Sequence, residues 1–272
     1  MKRSLIKDLT KPSEGARPVY FFGGLASHVL TYRPLARVVD DRWWLRGVLY
    51  PVYAGGDPNV ASIEALAGSM RTALDDAEDP IVLSGFSVGG TIAYQIAVHL
   101  TAQGRRAGVV MIDSQPAELR KLWLQRRHPK VRRAIRLFRK ARNFLQKARQ
   151  KQEDHDPKAL PEFTWTPEDP QVRIFQRENR EAARIYLPPR SNVPVVMLKA
   201  VPPRIPRWIA RICWPVRDNG WGLVAPVLGV LPVSAGHHTI MARENHPDVA
   251  AALNKGFQMI CDRLEGGDKP AQ

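Results

Sequence analysis

Residues 81–90 read Ile81-Val82-Leu83-Ser84-Gly85-Phe86-Ser87-Val88-Gly89-Gly90, an apolar run that ends in Gly85-Phe86-Ser87-Val88-Gly89. A Gly-x-Ser-x-Gly pattern between a buried strand and a helix is the arrangement of a nucleophile elbow. There the serine occupies a strained turn that lifts its Oγ above the sheet, and the flanking glycines, here Gly85 and Gly89, let strand and helix pass closely. Downstream, Ile92, Ala93, Ile96, Ala97 and Leu100 recur at helical spacing and Gly104 supplies a stop, which predicts a helix over 88–102. Small residues flank serine by chance in many chains. The strand before and the periodic helix after distinguish this site from an ordinary turn and make Ser87 the candidate nucleophile.

Short apolar runs at 18–23, 46–50, 81–85, 107–112, 194–199 and 228–234 read as strands, with helical patterns near 31–39, 60–76, 88–102 and 246–265. Alternation of this kind predicts an α/β fold, a mostly parallel sheet with helices on both faces. In such sheets the reactive groups collect at the carboxyl ends of the strands. A chain of 272 residues with 44% hydrophobic content has enough material for one sizeable core. Residues 1–17 read as a basic N-terminal extension and 18–272 as a single domain.

A nucleophilic serine needs a base, and histidine is the usual one near neutral pH. Of the seven histidines, His99 lies within the helix after the elbow, His128 and His155 lie in a charged stretch, and His28 and His246 lie at loops or helix starts. The pair His237-His238 follows the late strand pattern Val230-Leu231-Pro232-Val233 and the small residues Ser234-Ala235-Gly236, the chain position expected of the base. The third member is a carboxylate that holds the imidazole tautomer. Two aspartates fit by order: Asp113, after the run Gly108-Val109-Val110-Met111-Ile112, and Asp218, in the loop Val216-Arg217-Asp218-Asn219-Gly220. Spacing alone leaves both open.

Taken together, Gly85-Phe86-Ser87-Val88-Gly89-Gly90, Ile112-Asp113-Ser114 and Gly236-His237-His238-Thr239-Ile240 resemble the thioesterase domains of nonribosomal peptide and polyketide synthases, over about residues 18–265. Val19-Tyr20-Phe21-Phe22-Gly23-Gly24, Tyr32-Arg33-Pro34-Leu35-Ala36 and Trp221-Gly222 are similar to the family's first strand, following helix and pre-strand loop. The resemblance implies an α/β-hydrolase fold, the acid on Asp113 and the base on His237, with Asp218 a loop residue and His238 a neighbour. The family's oxyanion loop usually carries histidine-proline and paired glycines, whereas this chain reads Gly23-Gly24-Leu25-Ala26-Ser27-His28. Oxyanion holes use backbone N–H groups, so Leu25 or Ala26 can serve beside Val88 despite that departure. The implied activity is hydrolysis of acyl, polyketide or peptidyl thioesters carried on phosphopantetheine, through an acyl-Ser87 ester. No metal and no bound cofactor is expected. A carboxylester hydrolase or lipase with the same triad and a non-catalytic carrier-binding module are the alternatives.

Residues 115–190 interrupt the alternation without a strand pattern and read as an inserted helical lid. Residues 120–151 hold fourteen Lys or Arg and no Asp or Glu, against a formal net charge of +15 for the whole chain. Val131, Ile135, Phe138, Leu145 and Ala148 recur every three or four residues, predicting an amphipathic helix over 129–151 with a wide basic face. Uncompensated cations repel each other unless an outside anion neutralises them, which argues against a merely solvated face. Acyl carrier proteins are acidic, and in the resembling family the lid lies beside the phosphopantetheine entrance. The resemblance thus implies docking of an acyl or peptidyl carrier protein on Arg132, Arg133, Arg136, Arg139 and Lys140, with an anionic membrane surface as the second reading. Nothing matches a nucleic-acid-binding motif. Two cysteines, Cys213 and Cys261, are too few for a disulfide framework, and the basic start lacks a secretion signal's apolar region. A cytoplasmic protein is expected.

Overall fold

The computed structural model describes residues 5–25, 27–126, 168–201 and 218–266. In chain order the elements are β1 (Ile6–Asp8), β2 (Arg17–Phe22), α1 (Arg33–Ala36), β3 (Trp43–Val48), α2 (Ile63–Arg71), β4 (Ile81–Phe86), α3 (Val88–Ala102), β5 (Ala107–Ile112), α4 (Ala117–Gln125), α5 (Pro170–Ile185), β6 (Val195–Ala200), β7 (Val227–Val233) and α6 (His246–Glu265). The strands form one seven-stranded sheet in the order β1-β3-β2-β4-β5-β6-β7. Among the described residues only β1 runs antiparallel to its neighbour, and the other pairings are parallel.

Parallel strands covered on both faces need apolar side chains on both, and the central strands meet that demand. All six residues of β5 and all six of β6 are buried. Leu83, Val109 and Met111 face a layer built by Ile92, Ile96 and Leu100 of α3. Val82, Val110 and Ile112 face the opposite layer, built by Leu253, Phe257 and Ile260 of α6. This period-two alternation along each strand produces two half-cores, one on each face of the sheet.

The helices expected at 88–102 and 246–265 stand at those residues, and Gly104 ends α3 with φ 79. The pattern at 60–76 shortens to Ile63–Arg71, because the Ser62 hydroxyl accepts the Ala65 N–H at 3.1 Å and caps the helix there. The pattern at 31–39 resolves into a 3-10 turn, Val29–Tyr32, followed by the single turn Arg33–Ala36. The strand expected at 46–50 begins earlier, at Trp43, and ends at Val48. Trp43 and Leu45 are buried, while Arg46 stays in the strand by lying 4.1 Å over the Trp44 ring and pairing with Asp8 at 3.1 Å. Residues 1–17, read as an extension, contribute the edge strand β1. Within 115–190 the described residues form α4 and α5; the amphipathic segment 129–151 lies outside the described residues. Among the described residues no helix is long and apolar enough to cross a membrane.

Candidate active site

Ser87 stands between β4 and α3 with φ 54 and ψ −120, a conformation that L-residues rarely adopt and that only an over-determined surrounding can hold. That surrounding is backbone. Ser87 N–H donates to the Ile112 carbonyl at 2.9 Å, tying the turn to the end of β5. A Cβ on Gly85 would stand 2.4 Å from the Gly89 carbonyl carbon, and one on Gly89 would stand 2.3 Å from the carbonyl oxygens of both Phe22 and Gly23. The two glycines singled out in the sequence are therefore where strand, helix and neighbouring loop meet without room for a side chain.

His237 lies after β7 in a loop fixed by Gly236 N–H to Thr239 Oγ1 at 3.0 Å and Ile240 N–H to Gly236 O at 2.8 Å. Its Nε2 is 3.2 Å from Ser87 Oγ and its Nδ1 is 2.8 Å from Asp113 Oδ2. An ionised carboxylate only accepts, so Nδ1 carries the proton and Nε2 is left to accept from serine. The Phe86 ring stacks on His237 at 5.4 Å between centroids. His238 is exposed and meets His237 edge-on, away from the hydrogen-bonded chain.

Asp113 follows β5 and is 1% exposed, with φ 46 and its N–H donated to Leu198 O at 2.8 Å. Burial pushes its carboxyl up, but the His237 hydrogen bond, the Lys199 charge, the His237 charge and the Asn219 amide outweigh that and hold it below its ordinary value. Gln115 Nε2 also donates to Oδ2 at 2.8 Å. Asp218 is occupied elsewhere: its two oxygens accept Gly220 N–H at 2.9 Å and Gly222 N–H at 2.8 Å, shaping the loop before β7.

Val88 is the first residue of α3, so its N–H belongs to the helix turn whose donors have no intrahelical partner. The loop after β2 lies against the elbow, since a Cβ on Gly24 would meet Phe86 Cδ1 at 2.8 Å. Two buried tyrosines anchor it: Tyr32 Oη accepts Gly24 N–H at 2.9 Å, and Tyr50 Oη donates to Gly23 O at 2.8 Å. Burial pushes both phenols up, so they stay neutral hydrogen-bonding groups. Leu25 follows in this loop, half-buried. Ala26 lies outside the described residues, as do Arg132, Arg133, Arg136, Arg139 and Lys140. Ser87, Val88, Thr91, Gln115, Pro116, Ala183 and His237 line a cleft of about 350 Å³, within the usual size range of small-molecule sites. Among the described residues no group of three or more His, Cys, Asp or Glu side chains converges as a metal site would.

The sequence reading did not single out Lys199, Asn219, Tyr32 or Tyr50 as parts of the site. The available signal for Lys199 was a lone cation in the apolar run Val-Val-Met-Leu-Lys-Ala; the tyrosines gave none, because buried aromatics near strand ends look like core.

Comparison with known proteins agrees with this architecture. Residues 17–181 match the family model described as thioesterase domain, and the chain belongs to that family. Among solved structures it is similar to the NocB thioesterase domain from the nocardicin cluster, at 20% identity and TM-score 0.63 over 93% of this chain and 99% of that one. The Vlm2 thioesterase domain bound with a dodecadepsipeptide gives 20% identity and TM-score 0.60, covering 93% and 98% of the two chains. The type II thioesterase BorB from the borrelidin biosynthetic cluster gives 14% identity and TM-score 0.58, covering 95% and 98%. A search of curated proteins finds no significant match.

The packing at Gly89 generates a direct test. Gly89→Ala has to displace backbone and should abolish labelling of Ser87 by an alkyl fluorophosphonate and lower the melting temperature sharply. Gly68→Ala, in α2 where a Cβ meets nothing within 4 Å, should instead gain about 0.5–1 kcal/mol in chemical denaturation.

Proposed function

We propose that the protein is a serine thioesterase acting on acyl, polyketide or peptidyl groups presented as phosphopantetheine thioesters, with Ser87 as nucleophile, His237 as base and Asp113 as the acid that orients it. The observation that carries this reading is the continuous hydrogen-bonded chain from Ser87 Oγ through His237 to Asp113, starting at a strained elbow. As Ser87 Oγ attacks the thioester carbonyl carbon, its proton passes to His237 Nε2. The carbonyl oxygen becomes an oxyanion held by Val88 N–H and an amide of the 24–26 loop, each such donor being worth about 3 kcal/mol in the transition state. Collapse breaks the carbon–sulfur bond, and the imidazolium returns its proton to the leaving sulfur. Water, deprotonated by the same histidine, then attacks the acyl-Ser87 ester and releases the acid. The scheme uses no metal and no resident cofactor, and a cytoplasmic setting is part of the proposal.

The carrier would be an acidic acyl or peptidyl carrier protein, with the basic residues of 120–151 as its landing surface. Support comes from their charge and from family membership. One neighbour, the NocB domain, is described in covalent complex with a fluorophosphonate analogue, which makes that reagent class a suitable probe here.

The test is a panel of pantetheine thioesters against p-nitrophenyl esters, with intact-mass detection of acyl-enzyme. Thioester turnover with acyl adduct on the wild type and neither on Ser87→Ala is the expected result. Preference for oxygen esters would favour a carboxylester hydrolase, and inactivity on both a binding module.

Asp113→Asn should lower kcat by orders of magnitude, the usual scale for a triad member, while Asp218→Asn keeps kcat near wild type and affects only stability. Steady-state kinetics of the two variants checks this. On carrier-bound substrate, kcat/KM should fall steeply with added salt, because screening over about 8 Å at physiological ionic strength removes long-range attraction. A small uncharged thioester should show little salt dependence, and glutamine at Arg132, Arg133, Arg136, Arg139 and Lys140 should remove the difference between the two substrates.

A further inference from the structure

Lys199 belongs to β6, where Val195, Val196, Met197, Leu198 and Ala200 are all buried, and it is itself only 4% exposed. Removing an ammonium from water is unfavourable unless partners compensate, and an apolar side chain of similar volume would fill the same space with no such penalty. The partners identify what the charge does. Lys199 Nζ lies 3.4 Å from Asp113 Oδ1 and donates to Asn219 Oδ1. Asn219 Nδ2 in turn lies 3.4 Å from the same Asp113 oxygen and donates to Ser114 O at 3.1 Å. Lysine, asparagine and aspartate thus close a ring on Oδ1, while His237 holds Oδ2. Asn219 has φ 55, in the left-handed region that asparagine tolerates better than most residues, so the loop before β7 is bent to deliver this amide.

A buried carboxylate facing a neutral imidazole has no counter-charge from that imidazole; one appears only when His237 takes a proton. We propose that Lys199, held by Asn219, is a positioning residue that keeps Asp113 ionised and its Oδ2 turned towards His237 in the resting enzyme. The proposal rests on the reading of Asp113 as the acid of the serine thioesterase. The charged and titratable groups around the pair are His237 and His238 after β7, Asp218 in the loop before it, and Arg120 on α4. Burial pushes the Lys199 ammonium down, Asp113 and Asp218 oppose that, and Arg120 adds to it; the same contact from Lys199 helps lower the Asp113 carboxyl.

The test compares Lys199→Met, which keeps length without charge, with Lys199→Arg, which keeps charge. Two readouts are followed against pH: kcat and KM on a pantetheine thioester, and the rate of Ser87 phosphonylation by an alkyl fluorophosphonate, which needs no natural substrate. Lys199→Met should lower kcat by on the order of ten- to a hundred-fold, the scale of a small misplacement of a reacting group, with KM little changed. Its acidic limb should move to higher pH in both readouts, because loss of a neighbouring cation makes the coupled His237–Asp113 pair hold a proton more tightly. Lys199→Arg should leave the limb in place. A folded Lys199→Met with an unmoved limb overturns the proposal, whatever its rate. Should Lys199→Met fail to give a cooperative melt, Asn219→Gly, suited to the left-handed backbone, carries the test: the limb must move in the same direction, and an unmoved limb overturns it. Asp113→Asn is measured in parallel. Full activity there would overturn the acid assignment and this proposal with it, whereas a crippled Asp113→Asn beside an unaltered Lys199→Met overturns only the role of Lys199.

Discussion

The close approach of four backbone segments around Ser87 constrains everything else in the molecule. β4 must reach the turn with no side chain at Gly85, α3 must leave it with none at Gly89, and the end of β2 with the residue after it, Phe22 and Gly23, must pass against Gly89. The Ser87 N–H is then bonded to the carbonyl of Ile112, the last residue of β5. Because the strands are parallel and adjacent, that bond sets where β5 ends and therefore where Asp113 emerges. The elbow fixes the height of Asp113 as well as that of Ser87, and the distance left for an imidazole between them is the one His237 fills.

Placing a carboxylate at the buried end of a central strand creates an electrostatic demand that spreads outward. A single histidine cannot meet it in both protonation states, and the surroundings supply Gln115, Asn219 and Lys199 in addition. Lys199 comes from β6, the next strand in the sheet, and Asn219 from the loop that leads into β7. Strand order thus brings a cation and an amide to one oxygen of Asp113 and an imidazole to the other. Asp218, adjacent in sequence to Asn219, serves the same end differently: by accepting the Gly220 and Gly222 amides it holds the bend that points Asn219 inward.

What could be read in the sequence follows from how local each determinant is. The elbow, α3 and α6 are specified by residues within one stretch, glycines and apolar spacing, and they stand where the pattern put them. The strand expected at 46–50 lacked Trp43, Trp44 and Leu45, which belong to β3 because they pair with Arg17, Pro18 and Val19 of β2, a partnership that only the sheet shows. β1 is three residues, too short for periodicity, and becomes a strand through pairing with β3. Ser87, Asp113 and His237, which the fold brings within hydrogen-bond distance of one another, could be picked out together because each follows a recognisable strand. Lys199 and Asn219 could not, because their contact with Asp113 depends on which strand lies beside β5, and that is a property of sheet order.

The far wall of the cleft depends on the same helix as Ser87. Tyr186, just past α5, donates to Gln95 of α3 at 2.5 Å, and Tyr94 Oη lies within 2.8–3.2 Å of Pro189 O, Ser191 Oγ and Val224 O. The Tyr94 ring meets Trp221 edge-on at 4.8 Å, and Trp221 Nε1 donates to Ser114 O, next to Asp113. α3 therefore presents the first-turn amide of Val88 at one end and, midway along, anchors both the residue after α5 and the loop that braces Asp113. Ala183 on α5 reaches the cleft from this anchored segment, so this wall of the cleft is tied to α3 through Tyr186 and Gln95. Movement of α5 at Tyr186 would disturb Gln95, and through it the helix that begins at Ser87.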